Sequence, residues 1–262
     1  MSRHRVRRSI GAFCVGAVVL FALLGPWLID ADPLRQNLRA TLRPPSADYL
    51  LGTDHLGRSV LARLAHAARL SVAFGAASAA SAAILGAGIG LVAALRGGLL
   101  DRAAGALCDA TMALPGLLIV LILAAFAPGA FWPLYLGIAL ALWVEFFRLV
   151  RTVARSRLTA PDVEAAHLLG FGDLHVVKRH LLPDLLPALG ALFAFGFGAS
   201  VVAVSTLSFI GVGLRPPTPE WGNMMTELLP HYDQAPVQLL APAALLFATV
   251  LGLQLLAGRD PK

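Results

Sequence analysis

The stretch Pro161–Pro183 reads PDVEAAHLLGFGDLHVVKRHLLP, a polar island in a very apolar chain. It holds Asp162, Glu164, Asp173, Lys178, Arg179 and three histidines, and long apolar runs flank it on both sides. The pattern predicts two short helices joined at a glycine. Pro161 suits a first helical turn, where its missing N–H has no partner to lose. The first helix runs to Leu169 and stops at Gly170, a residue that adopts the left-handed conformation of a helix end. Asp173 is placed to cap the second helix through its carboxylate. Pro183 is expected to end it, because proline lacks a donor and crowds the preceding turn. Such an elbow between two apolar runs has the shape to touch a soluble partner. The bland alternative is an amphipathic hairpin lying on a membrane.

Composition points the same way. Of 262 residues, 58% are hydrophobic and only 14% charged, whereas soluble domains carry about 25% charged residues. The net charge of +6 invites a nucleic-acid partner. That reading fails, because the arginines cluster between apolar runs rather than on one polar face. Cys14 and Cys108 fall in or beside apolar runs, with no metal-ligand spacing, and read as small buried or lipid-facing side chains.

Six apolar runs are long enough to cross ~30 Å of hydrocarbon. The first, Ile10 to Ile29, follows a start rich in arginine. A cleaved signal peptide is the competing reading. The run is long for that, and Pro26-Trp27 is a poor cleavage site, so 1–29 reads as a basic N-terminus and an uncleaved span. Residues 30–69 form a polar segment, irregular around Pro33, Pro44 and Pro45, that ends in LGTDHLGR at Leu51–Arg58 and a helical stretch through Leu61, Leu64 and Ala68. Asp54 and Arg58 read as a cap and local ion pair fixing this loop. Residues 70–258 hold five further spans: Leu70–Leu95, Ala103–Phe126 with Pro115 inside it, Phe131–Phe147, Leu185–Val212 and Val237–Leu256. Gly86 and Gly90 share one face of the second span and permit close helix approach. The prolines of Arg215–Pro219 predict a stiff extended loop, and Trp221 an interfacial anchor. Residues 259–262 read as a short tail.

Basic residues in loops set orientation. With the N-terminus and the elbow inside, the inner loops receive Arg3, Arg5, Arg7, Arg8, Arg96, Arg102, Arg148, Arg151, Arg155, Arg157, Lys178, Arg179, Arg259 and Lys262. The outer loops receive Arg35, Arg39, Arg43, Arg58, Arg63, Arg69 and Arg215. This two-to-one bias supports both termini inside.

The chain lacks the residues of several chemistries. No G-x-x-x-x-G-K-[ST] is present to cradle phosphates, and no H-E-x-x-H to hold zinc. His167, His175 and His180 do not align on one helix face across the glycine break, and read as surface polar residues. Asp109 and Glu145 stand near span ends, so the spans lack the buried acids expected of an ion-coupled pump.

Three segments carry a resemblance. Glu164-Ala165-Ala166, then Gly170, then His180-Leu181-Leu182-Pro183 resembles the EAA loop of bacterial ABC importer permeases, with His180 where isoleucine is commoner. Leu51–Arg58 resembles the LGTDxLGRD signature of the C-type permease in dipeptide, oligopeptide and nickel importers, departing at Ser59. Leu207–Gly222 resembles the LSFLGLGxxPPxPxWG segment of the same branch. The resemblance implies an all-α, six-span, MetI-like permease fold in the bacterial inner membrane, with the EAA loop as a cytoplasmic coupling elbow. It implies that Glu164, Ala165, Ala166, Gly170, His180, Leu182 and Pro183 serve ATPase coupling. It places Gly52, Thr53, Asp54, Gly57 and Arg58 in a periplasmic motif.

The implied partners are a homologous second permease, two ATP-binding subunits, a periplasmic substrate-binding protein and membrane lipid. ATP hydrolysis would belong to another chain, and neither a cofactor nor a resident metal is implied. The substrate stays open among peptides, nickel and metal chelates. A stand-alone secondary transporter or channel is the alternative; it would need no elbow.

Overall fold

The computed structural model describes residues 3–258, so the tail at 259–262 lies outside the described residues. Helices α1 (Arg3–Leu28), α2 (Val60–Arg96), α3 (Gly98–Met112), α4 (Gly116–Phe126) and α5 (Phe131–Leu158) come first. The elbow follows as α6 (Pro161–Leu168) and α7 (Asp173–Val176), and a π-turn at Val177–Leu181 leads into α8 (Leu182–Phe209). Then come the short α9 (Trp221–Leu228) and α10 (Pro236–Ala257). Among the described residues five helices are long and apolar enough to cross a membrane, and α3 with α4 supplies a sixth span if the bent pair counts as one. At about 1.5 Å per residue α2 is roughly 55 Å long and overshoots the hydrocarbon.

Three proline-linked expectations are corrected. Pro115 does not sit inside a straight span: the chain breaks between Met112 and Gly116, and α3 meets α4 at 81°. Pro115 is the N-cap residue of α4, where its lost donor has no helical partner. Nor does Pro183 end the second elbow helix. The Leu182 N–H reaches back to the Val177 carbonyl, five residues away, and the widened turn absorbs a ring that would clash in a regular helix. The helix therefore shifts register and continues to Phe209. Trp221, beyond the proline-rich loop, is no interfacial anchor. It is fully buried in a core shared with Val18, Val60, Leu64, Phe197 and Met224.

Small residues set the main helix contact. A Cβ at Gly86 would collide with the Trp143 carbonyl, and one at Gly90 would lie 2.7 Å from the Phe147 carbonyl, while Gly88 between them meets nothing. So α2 lies directly on α5, as the paired glycines predict. At the end remote from the elbow, Glu220 is buried. It accepts from the Ser205 hydroxyl at 2.6 Å, the Gly222 N–H at 2.7 Å and the Asn223 N–H at 3.2 Å, and so caps α9. Burial pushes its pKa up, although the same hydrogen bonds oppose the shift. Asn223 donates to the Leu214 carbonyl at 2.7 Å, closing the proline loop on α9.

Two outcomes follow. Gly86→Leu cuts the yield of monodisperse protein in size-exclusion chromatography several-fold, and Gly88→Ala leaves it unchanged. A carboxyl whose folded pKa is raised loses folded stability as pH climbs through its unfolded value of about 4.3. Glu220→Gln keeps the acceptor and drops the charge, so thermal stability at pH 7 holds or rises. Glu220→Ala loses the cap and lowers stability by about 1–2 kcal/mol.

Candidate functional site

The elbow is anchored on one side and free on the other. Val163, Val176, Leu181 and Leu185 are buried against Val150 and Ala154 of α5, with Ala87, Leu91 and Ala94 of α2 packed alongside. Each such valine or leucine contributes about 1.5–3 kcal/mol where water is the alternative. The opposite side carries Leu168 at 85% exposure, Leu169 at 76%, Phe171 and Leu174. These apolar side chains surround Gly170, whose φ is +86°. The Phe171 N–H donates to the Ala166 carbonyl at 3.1 Å and the Gly170 N–H to the His167 carbonyl at 2.9 Å. That pair is the Schellman helix stop, which asks for glycine at this position. The Phe171 ring stacks on His175 at 4.2 Å.

The coupling residues expected from sequence divide in two. Glu164, Ala165, Gly170, Leu182 and Pro183 are exposed. Ala166 is buried on the anchored side, so it is a packing residue and offers no surface to a partner. His180 is half-buried, with its Nδ1 3.0 Å from Asp162. The hydrogen bond from His180, aided by the Arg157 guanidinium, holds Asp162 below the usual carboxylate range. Asp173 does not cap its helix; Gly172 takes the cap position and leaves Asp173 in the first turn, where its charge still suits the helix dipole. The apolar tip was not singled out from sequence, although Leu168-Leu169 and Phe171 flank the predicted glycine stop.

The LGTDHLGR segment folds as the ion-paired loop expected, with two further members. Asp54 bonds Arg58 at 2.6 Å and Arg63 at 2.5 Å; Arg58 also meets Glu227 of α9 at 2.8 Å, and Arg63 pairs with the same carboxylate. Burial alone would raise the pKa of Asp54. The Arg58 N–H and both guanidiniums more than offset that, and hold it below the usual range. Thr53 bonds the backbone of Ala40 and Arg43. Gly52 and Gly57 have positive φ, and a Cβ on Gly57 would strike the Asn37 carbonyl. Ser59 caps α2 by accepting from the Ala62 N–H at 3.3 Å, so serine performs here the capping that aspartate also performs. Asp54, His55 and Glu227 bring ligand atoms within 4.8 Å of one another. Both carboxylates are already paired with arginine, and two guanidiniums repel a cation. The cluster therefore reads as a clamp between the loop and α9.

Comparison with known proteins accounts for these features together. The family model described as binding-protein-dependent transport system inner membrane component matches residues 86–258. The di/tripeptide transport system permease protein of Pseudomonas aeruginosa is 33% identical over 257 residues, covering 94% of this chain and 84% of that one. A Brucella abortus relative, named as a peptide transport system permease, is 35% identical over 231 residues, covering 87% of this chain and 76% of that one. An inward-facing structure of the MetNI methionine ABC transporter superposes with a TM-score of 0.52 at 16% identity, over 68% of this chain and 87% of that chain. This last likeness concerns the fold alone, and it agrees with the MetI-like architecture. With a family match across two thirds of its length and relatives aligned over most of the remainder, this chain belongs to the inner-membrane permease components of binding-protein-dependent ABC importers, and is a transport subunit rather than an enzyme.

Proposed function

We propose that this permease forms half of the translocation path of a peptide importer and docks an ATPase subunit through the apolar tip of its elbow. The single observation that carries the docking is the contrast between the elbow's two sides. One is sealed onto α2 and α5, and the other presents Leu168, Leu169, Phe171 and Leu174 to solvent. Large apolar groups clustered on an aqueous surface mark a protein interface. Glu164, Lys178 and Arg179 are also exposed on the elbow and give a polar rim, the arrangement of an interface with a dry centre. The elbow then faces the cytoplasm, and the Asp54–Glu227 clamp the periplasm.

The assembly we propose holds this chain, a homologous second permease, two ATP-binding subunits and a periplasmic binding protein. ATP binding draws the nucleotide domains together, the elbows follow, and α5 and α8 tilt between outward and inward states. Peptides stand ahead of nickel as substrate, because both relatives named above belong to peptide systems. A shared two-chain path and a separate binding protein divide the selectivity between several chains.

Replacing Gly170 by leucine forces a side chain into the left-handed region at about 1–2 kcal/mol and misaligns the tip. Peptide uptake in a deletion strain is then expected to fall at least tenfold, with membrane insertion retained; undiminished uptake refutes the coupling role. Leu169→Asp with Phe171→Asp abolishes co-purification of the ATPase in mild detergent, since central apolar contacts cost about 2 kcal/mol or more each when lost.

A further inference from the structure

Docking alone does not move a span; the elbow must also be stiff against the helices it pushes. Four side chains from four elements meet at its root. Arg157 comes from the last turn of α5, Asp162 from the first turn of α6, His180 from the π-turn and Asp184 from the first turn of α8. Arg157 Nη2 donates to Asp162 Oδ2 at 3.0 Å, and His180 Nδ1 reaches the same oxygen at 3.0 Å. Arg157 Nε lies 2.7 Å from Asp184. An ionised carboxylate only accepts, so His180 carries a proton on Nδ1. Among the described residues the His180–Asp162 bond is the one side-chain hydrogen bond joining the two arms of the elbow. The π-turn that accommodates Pro183 inserts an extra residue at this point, and such turns recur at functional sites.

We propose that Arg157, Asp162, His180 and Asp184 form a brace that makes the elbow move as one body with α5 and α8, and that His180 is a positioning residue rather than a contact to the ATPase. The role in coupling rests on the docking reading above; the brace itself does not. The positions of the groups argue for it. None of the four belongs to the apolar tip. His180 is only 18% exposed and faces the other arm. Arg157 donates to Asp162 on one side and lies in ion-pair range of Asp184 on the other, so it links the end of α5 to both α6 and α8.

The test uses the full complex in nanodiscs, compared with His180→Ala, His180→Asn and Asp162→Ala. Amide hydrogen exchange reports stiffness at residues 161–182. The rise in ATPase rate on adding the binding protein, divided by each variant's own basal rate, reports coupling. His180→Ala and Asp162→Ala are expected to speed exchange across α6 at least tenfold and to cut the stimulation ratio several-fold, with the ATPase still co-purifying. His180→Asn, whose side-chain amide puts an N–H donor at the place of Nδ1, keeps both near wild type. Unchanged exchange in His180→Ala overturns the brace. Faster exchange with an undiminished ratio overturns the positioning role. Loss of the ATPase from His180→Ala alone makes His180 a docking contact and overturns the assignment. If the wild-type chain brings down no ATPase, the docking reading fails, and the exchange measurement by itself decides the brace.

Discussion

The close approach of α2 to α5 is the contact on which the other helices depend. Lipid tails are as apolar as leucine, so burying apolar surface gives helices in a bilayer little reason to associate. Close packing has to supply it. Gly86 and Gly90 let two backbones meet where any side chain would collide. The elbow then uses the ends of these same two helices as its seat, through Val150, Ala154, Leu91 and Ala94. At the other end Val60 and Leu64 of α2 join the core around Trp221. One glycine-lined seam therefore fixes the spacing of both aqueous faces.

Charge is confined to those faces, and much of it is paired. Asp101 makes a two-pronged bond with Arg151, at 2.6 and 2.9 Å, and also pairs with Arg155. Asp54 and Glu227 hold Arg58 and Arg63 at the opposite end. Removing one member of the buried Asp54 group strands the others, which is more costly than the net value of the pair. The rule that sets orientation counts basic residues rather than net charge, so the pairing of Arg58 and Arg63 leaves the bias expected from sequence as it was. Arg3, Arg5, Arg7 and Arg8 dominate the N-terminal sequence and keep the bias pointing one way.

Much of this was legible in the sequence, and the failures share a cause. The positions of the apolar runs, the elbow and its Gly170 stop follow from local pattern, whereas α2 and α5 run on past the expected spans, to Val60 and to Leu158, because polar residues continue their helices. The packing of Gly86 and Gly90 follows from helical spacing. Proline misled three times, since its effect depends on what the chain does nearby. A π-turn carries the helix past Pro183, a sharp bend turns Pro115 into a cap, and the proline loop folds back to bury Trp221. The clamp was half visible. Asp54 and Arg58 lie four residues apart, whereas Glu227 lies 169 residues from Arg58 and can be paired with it only in three dimensions. Ala166 shows the limit of a motif: Glu164, Ala165 and Ala166 are consecutive, yet the helix turns only the third inward.

That division explains why a short alanine-rich helix suits this position. A coupler has to be tight against its own subunit and adaptable toward another. Valine at 163 packs with Val150 and Ala154 of α5, and alanine at 166 is buried nearly one turn further along α6, where a larger residue would crowd the packing. The free side gathers leucine and phenylalanine around Gly170, whose left-handed turn favours glycine, and so projects apolar surface past the helix end. The seat includes α2 and α5 together, so on the docking proposal a displacement at the tip would reach the glycine seam directly. In the proposed mechanism α2, which runs unbroken from the elbow's seat to the far clamp, is the element through which a two-state change at one face would bias the other.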